Sequence, residues 1–226
     1  MVEKLRKNDS CPSVLVIIAA LNEEKGIGPT LAELRWVLND PVFLVVDGNS
    51  TDRTVEIAKE MGADVLFQEG SGKGNAIAQA IRNVNFDVKY VVFIDGDFTY
   101  PAEFLPEMIR ILEENQEVGM VTGNRFNHQY KLRSMANPFF FGNRFLAIAQ
   151  RLINGMDLRD PLTGLRVVRW QILKHWKPKS KGFDIEAEMN HRVKRHGHKI
   201  VEIPIQYRKR LGEKKLKPRH GFMILK

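Results

Sequence analysis

The order of the apolar runs constrains this chain more than any other feature. Residues 14–18 (VLVII), Val42–Val46, Ala63–Phe67, Tyr90–Ile94 and Val118–Thr122 are short and nearly continuous in apolar character. Runs of that length with little polar alternation suit strands buried on both faces. Helical spacing fills the gaps between them. Leu31, Leu34, Trp36 and Val37 predict a helix over Thr30–Leu38, closed by Pro41. Ser50, Thr51 and Asp52 are N-cap residues ahead of Val55, Ile57, Ala58 and Met61, and Gly62 ends that helix. Lys73–Val84 reads as a helix, as does Ala102–Glu114 behind Pro101. Strands alternating with helices predict a single α/β domain with a mainly parallel central sheet flanked by helices. Beyond residue 125 the pattern loosens, with helices expected at Phe139–Ile153 and Ile185–His196 and strands at Gly164–Val168 and Ile200–Tyr207.

In such sheets ligands bind beyond the carboxyl ends of the strands. Those ends carry Asn22 and Glu23, then Asp47, Gly72-Lys73-Gly74, Asp95 with Asp97, and Gly123-Asn124-Arg125. Asp95-Gly96-Asp97 follows an apolar strand, so its two carboxylates can share one hard divalent cation and a diphosphate. Taken alone, the same residues read as a turn before Pro101. Asp47-Gly48-Asn49-Ser50 is likewise a strong turn sequence, and Asp47 can also read a nucleobase edge. Gly72 and Gly74 would let backbone approach phosphate, with Lys73 at hand. This is not a Walker A loop, and no Gly-x-Gly-x-x-Gly follows the first strand. His191, His196 and His198 share no helical face and do not predict a metal site.

Of 226 residues, 35 are Lys or Arg and 27 are Asp or Glu, a formal net charge of +8. The stretch from Tyr207 to Lys226 holds eight basic residues and one acid, so almost the whole excess sits there. Phe222, Met223, Ile224 and Leu225 close that stretch. Basic residues followed by an apolar cluster suit an anionic lipid surface better than a nucleic acid duplex. No run approaches the roughly 18 apolar residues of a membrane helix. The lone Cys11 excludes an internal disulfide framework and fits a reducing compartment.

An ordered set of motifs spans nearly the whole chain: VIIAALNEE (16–24), VVDGNSTDRT (45–54), GKGNA (72–76), FIDGDFTYP (93–101), TGNRF (122–126), FGNRFLA (141–147), DPLTGLRVVR (160–169), GFDIEAEM (182–189) and EIPIQYRKRLGEKKLKPR (202–219). In this order they resemble the family 2 glycosyltransferases of GT-A fold, and most closely the dolichyl-phosphate or polyprenyl-phosphate sugar synthases. The resemblance implies a catalytic domain over residues 1–206. Its nucleotide-sugar half lies at about 12–123 and its acceptor half at about 124–206, with a basic membrane-proximal segment over 207–226. It implies an inverting transfer of a hexose from UDP-glucose, UDP-N-acetylglucosamine or GDP-mannose to a polyprenyl phosphate. The setting would be the cytoplasmic face of a membrane. Ala19, Leu21, Glu23, Asp47, Lys73 and Asp95 would bind the nucleotide-sugar. Asp95, Asp97 and Thr99 would hold Mg²⁺ or Mn²⁺, and Asp97, Arg125 and Arg210 would carry catalysis. Arg125, Arg133, Arg210 and Lys214 would bind the acceptor phosphate, with help from Lys215.

The chain departs from the family pattern at Ala19 (usually Pro), Gly48 (usually Asp), Thr99 (often Gln) and Lys214 (usually Ser). These changes point away from a standard mannose synthase. They resemble archaeal relatives that use UDP-glucose or UDP-N-acetylglucosamine. A non-catalytic binder of anionic membrane or nucleic acid, using the basic tail alone, would leave Asp47, Asp95 and Asp97 unexplained, and two enzymatic alternatives also stand beside this reading. A family 2 enzyme acting on a saccharide would share most of the motifs. A sugar nucleotidylyltransferase would need a Gly-rich basic loop after the first strand, where this chain has the acidic ALNEE.

Overall fold

The computed structural model describes residues 13–126 and 157–213. Arg133, Lys214, Lys215, the expected helix Phe139–Ile153 and most of the basic C-terminal stretch lie outside the described residues. Within them a seven-stranded sheet runs in the order β3-β2-β1-β4-β6-β5-β7. Its strands are β1 (Val14–Ala20), β2 (Val42–Asp47), β3 (Asp64–Phe67), β4 (Tyr90–Phe93), β5 (Val118–Asn124), β6 (Arg166–Arg169) and β7 (Lys199–Pro204). The helices are α1 (Ile27–Val37), α2 (Thr54–Glu60), α3 (Lys73–Asn83), α4 (Leu105–Glu114) behind a 3-10 turn at Ala102–Phe104, α5 (Trp170–Leu173) and α6 (Ile185–Arg195).

The continuous apolar runs have the expected cause. Val14, Val16 and Ile18 of β1 pack on one face of the sheet with Leu31 and Leu34 of α1 and Leu105, Met108 and Leu112 of α4. Leu15 and Ile17 pack on the other face with Ile77 and Ile81 of α3 and Met189 and Val193 of α6. Successive residues of a strand point to opposite faces, so a strand covered on both must be apolar throughout.

The parallel expectation holds except at β6. β1, β2, β3 and β4 are mutually parallel, and β7 is parallel to β5. β6 lies antiparallel between β4 and β5. The reason is where the chain re-enters the sheet. β5 ends in Asn124 at the carboxyl edge, and residues 160–164 return beside Arg125 and Asp95 at that same edge. A strand entering there must run backwards. The reversal brings the β5–β6 connection to the edge where the ligand side chains gather.

α1 begins at Ile27, ahead of the Thr30 expected from apolar spacing. The amides of Gly26 and Ile27 both reach the Glu23 carbonyl, at 2.9 Å each. Pro29 falls in the first turn, where its missing N–H has no intrahelical partner to lose. Gly62 ends α2 as expected. It takes φ +72°, and the Ala63 amide donates back to the Ala58 carbonyl at 3.0 Å. Among the described residues no helix is long and apolar enough to cross a membrane.

Candidate active site

The β1–α1 and β2–α2 loops are knitted into one wall. Asn22 adopts φ +50°, a left-handed conformation that asparagine tolerates. Its amide donates to Ser50 Oγ at 2.8 Å, and its Oδ1 accepts from the Thr51 amide at 2.8 Å. The Glu23 amide donates to Thr54 Oγ1 at 2.7 Å. Asp47 is fully buried, and both its carboxylate oxygens serve this wall. Oδ2 accepts from the Ser50 amide at 2.9 Å, and Oδ1 accepts from Ser50 Oγ. The turn chemistry expected of Asp47 is thus formed. Ala19 and Leu21 lie at the end of β1 beside this turn, with Leu21 exposed. Gln68, buried beyond β3, stands 3.4 Å from where a side chain on Gly48 would begin. The ends of β1, β2 and β3 so form a shelf of backbone, the Gln68 amide and the exposed Leu21 side chain.

The charges concentrate just beyond β4. Lys73, the first residue of α3, lies between two carboxylates, 2.6 Å from Asp95 Oδ1 and 2.7 Å from Glu186 Oε1. Burial opposes its charge, but Asp95 and then Glu186 more than offset this and raise its pKa. Burial likewise pushes the Asp95 carboxyl up, and Lys73, with smaller help from Arg125 and Arg210, pulls it below its ordinary value. Asp97 goes the other way. Burial, then the neighbouring Asp95 charge, raise it despite opposition from Thr99 and Arg210. Asp97 Oδ1 accepts from the Thr99 amide at 3.1 Å and from Thr99 Oγ1, and Oδ2 pairs with Arg210 Nη1 at 2.7 Å. Arg210 Nη2 also binds Glu23 Oε1.

Several expected residues take unexpected places. Glu23, expected to bind the nucleotide-sugar, is buried and paired with Arg210, the same arginine that holds Asp97. Thr99 is buried and donates its hydroxyl to Asp97, which fits orienting a metal ligand better than serving as one. The Gly72-Lys73-Gly74 backbone does not form an open phosphate cradle. The Gly74 amide donates to the Gly182 carbonyl at 3.0 Å, and that of Asn75 to Lys181 at 3.3 Å. The first turn of α3 is therefore capped by the 180–182 loop. Arg125 is held by a fork to Asp160, with Nε and Nη2 each 2.7 Å from its carboxylate. Its guanidinium also lies over the Tyr207 ring, 5.5 Å from the centroid.

Two site residues escaped sequence reasoning: Glu186, which balances Lys73, and Asp160, which holds Arg125. Both sit in motifs already singled out, GFDIEAEM and DPLTGLRVVR. The available signals were an acid in the first turn of a helix and an Asp before Pro at a strand entry. Neither signal names the basic partner, which is far away in sequence.

The donor set fits a hard divalent cation. Asp95, Asp97, Glu23 and Glu186 face two cations, Lys73 and Arg210, leaving two negative charges. Among the described residues no cluster of three or more His, Cys, Asp or Glu ligands forms. The protein's share of such a site is then the Asp95 and Asp97 carboxylates, the remaining positions falling to phosphate oxygens and water, as is usual for Mg²⁺.

Comparison with known proteins agrees with this geometry. Residues 15–175 match the family model for glycosyl transferase family 2. The dolichyl-phosphate hexose transferase of Haloferax volcanii is 34% identical over 91% of this chain and 87% of its own. The undecaprenyl-phosphate mannosyltransferase of Micrococcus luteus is 30% identical over 90% and 87%. Glucosyl-3-phosphoglycerate synthase of Mycobacterium tuberculosis, solved with Mn²⁺ and UDP-glucose, superposes with a TM-score of 0.72. It is 23% identical over 95% of this chain and 76% of that one. The sheet with its single reversed strand, the paired carboxylates beyond β4 and the family match converge: this chain belongs to glycosyl transferase family 2, and its named relatives lie in the polyprenyl-phosphate sugar synthase branch.

Proposed function

We propose that this glycosyltransferase moves a hexose from a nucleoside diphosphate sugar to a polyprenyl phosphate, with inversion at the anomeric carbon. The observation that carries this reading is the pair Asp95 and Asp97 beyond β4, set among Lys73, Arg125 and Arg210. A carboxylate pair suits a metal-bound diphosphate, and guanidinium groups suit a second phosphate. The names of the Haloferax and Micrococcus relatives support a lipid phosphate acceptor. The UDP-glucose complex of the mycobacterial neighbour supports a nucleoside diphosphate sugar donor.

The nucleoside would lie on the shelf formed by Ala19, Leu21, Asp47 and Gln68. Asp95 and Asp97 would hold Mg²⁺ or Mn²⁺, which when bound stabilises negative charge on the departing diphosphate. Lys73 holds Asp95 in place, and Thr99 fixes the orientation of Asp97. The acceptor supplies its own nucleophile. A phosphate monoester has its second pKa near 6 and is largely dianionic at neutral pH, so no strong general base is needed. Its oxygen bonds to the anomeric carbon as the bond to the diphosphate oxygen breaks. The protein's task is to bring two mutually repelling anions together, and Arg125 and Arg210 serve it, with Arg133 and Lys214 as further acceptor-phosphate residues. The basic stretch beyond Glu213 would hold the enzyme at the anionic cytoplasmic face of the membrane.

The test is a donor panel of UDP-glucose, UDP-N-acetylglucosamine and GDP-mannose with Mn²⁺. Nucleoside diphosphate release is followed with a polyprenyl phosphate, with 3-phosphoglycerate, and with neither. We expect release that depends on the polyprenyl phosphate. Release dependent on 3-phosphoglycerate alone would replace the lipid by a soluble phosphate. Release dependent on neither would remove the acceptor assignment of Arg125 and Arg210.

A further inference from the structure

The segment after β7 does not leave the domain. It crosses the carboxyl end of the sheet and is pinned there by backbone bonds. The Ile205 amide donates to the Asn124 carbonyl at 3.0 Å, that of Arg208 to Thr99 at 2.9 Å, and that of Leu211 to Asp97 at 3.1 Å. Two of these land on the short loop that carries Asp97. Arg208 adds a fork to Glu33 of α1, with both nitrogens at 2.7 Å, and stacks over the Phe98 ring at 4.7 Å. The strap therefore presents Arg210 to Asp97 with little freedom.

Arg210 and Asp97 use each other up in this arrangement. Both oxygens of Asp97 are committed, Oδ1 to Thr99 and Oδ2 to Arg210. A guanidinium 2.7 Å from a carboxylate oxygen stands where a cation on that oxygen would stand, and like charges cannot share the place. The other nitrogen of the fork rests on Glu23, which is buried and shielded from solvent. The third, Nε, is buried with no hydrogen-bond partner. An unmet buried donor on a charged group is costly and marks a side chain with capacity left for another acceptor.

We propose that Arg210 is a tethered cation that competes with the divalent metal for Asp97, and that Glu23 is the positioning residue that keeps it over the site when the metal takes its place. This rests on the reading that Asp95 and Asp97 hold the metal. Metal binding then has a second consequence. It releases Nη1 from Asp97, so Nη1 joins the unmet Nε–H as a donor without an acceptor while Nη2 stays on Glu23. Loading the metal and freeing an arginine for a second anion become one event. The acceptor phosphate meets its arginine only after the metal is in place. Without metal, the site keeps its carboxylates partly neutralised by the protein's own cation.

The experiment is a titration with Mn²⁺ alone, with no donor, acceptor or turnover, followed by the electron paramagnetic resonance of the free ion. Arg210→Ala is expected to bind Mn²⁺ about tenfold more tightly than the unaltered protein, the size of one charged hydrogen bond removed. Arg210→Lys, which keeps the charge and loses the fork, should fall between them and serves if the alanine variant misfolds. Affinity unchanged or weaker in both variants overturns the competition. No Mn²⁺ binding to any of the proteins removes the metal assignment beneath it, and the proposal with it. Glu23 is tested by amide hydrogen exchange at Arg208 and Leu211. Saturating Mn²⁺ should accelerate it in Glu23→Gln and leave it nearly unchanged in the unaltered protein. Equal acceleration in both would overturn the anchoring role.

Discussion

Asp97 is the residue on which the others converge: Thr99 orients it, Arg210 neutralises it, Leu211 holds its backbone, and burial and then Asp95 raise its pKa. Asp97→Ala should lower kcat by at least about 10³-fold, since it removes half of the protein's hold on the metal. The fold should survive, because Arg210 keeps Glu23. Circular dichroism and single-turnover kinetics check both halves, and near-normal turnover with metal present would sink the site. Asp160 is fully buried, the Arg125 side chain is 16% exposed, and they meet through a two-point fork. Asp160→Asn leaves a buried guanidinium without its counter-charge and should cost about 3 kcal/mol in urea unfolding. A loss under about 1 kcal/mol would rank the pair with ordinary surface bridges. What sequence could foretell at this scale was residue type and strand end. Asp95 and Asp97 stood out only within the ordered set of motifs, since two carboxylates after an apolar strand read by themselves as a turn. The pairing of Glu23 with Arg210 was not legible, because its partner lies far away in sequence. Asp160 and Glu186 were missed because a salt bridge between distant residues leaves no local pattern.

At the scale of elements, apolar runs and caps located all seven strands to within a few residues, most directly β1, β2, β4 and β5, which are buried on two faces and apolar nearly throughout, while the edge strands β3 and β7 are partly exposed. The backward direction of β6 was not legible. Direction follows from which edge the chain re-enters, and no local sequence signal sets that edge. The glycines around Lys73 show how a correct composition can take a different job. A side chain at Gly74 would begin 2.3 Å from the Ser180 carbonyl oxygen, and one at Gly72 would begin 2.2 Å from that of Lys181. These are backbone atoms that cannot swing aside. The glycines let the 180–182 loop cap α3, which fixes Lys73 between Asp95 and Glu186. Gly74→Ala should therefore lower the unfolding free energy by about 2 kcal/mol. It should also impair Mn²⁺ binding by moving Lys73. Gly197→Ala is the control: it has φ +78° with nothing within 4 Å, so it should cost only about 1 kcal/mol of backbone strain and leave the metal untouched. Thermal melts and Mn²⁺ titrations of the two variants separate crowding from strain. Equal metal affinity in both would detach the loop from the site.

For the whole molecule, the placement of charge decides how the enzyme meets its surroundings. Read as sequence, the stretch from Tyr207 onward is one basic block. The structure divides it. Arg208 is spent on Glu33, and Arg210 on Asp97 and Glu23, so these two belong to the active site and its strap. Lys214, Lys215, Lys217, Arg219 and Lys226 follow Glu213, with Phe222, Met223, Ile224 and Leu225 among them. Lys or Arg near an anionic surface contributes about 1 kcal/mol each at low salt, and the contribution fades over a Debye length of about 8 Å at physiological ionic strength. Membrane attraction and catalysis should then be separable at Glu213. A chain ending there should keep its Mn²⁺ affinity and its melting temperature, because the strap and both its arginines remain. It should lose flotation with vesicles containing phosphatidylserine. The unaltered chain should float at low salt and progressively less as salt rises. Flotation of the shortened chain at the same level would move the membrane contact onto the catalytic domain. Loss of Mn²⁺ binding on shortening would mean that the segment after Glu213 braces the strap, and the division of the basic block at that residue would be wrong.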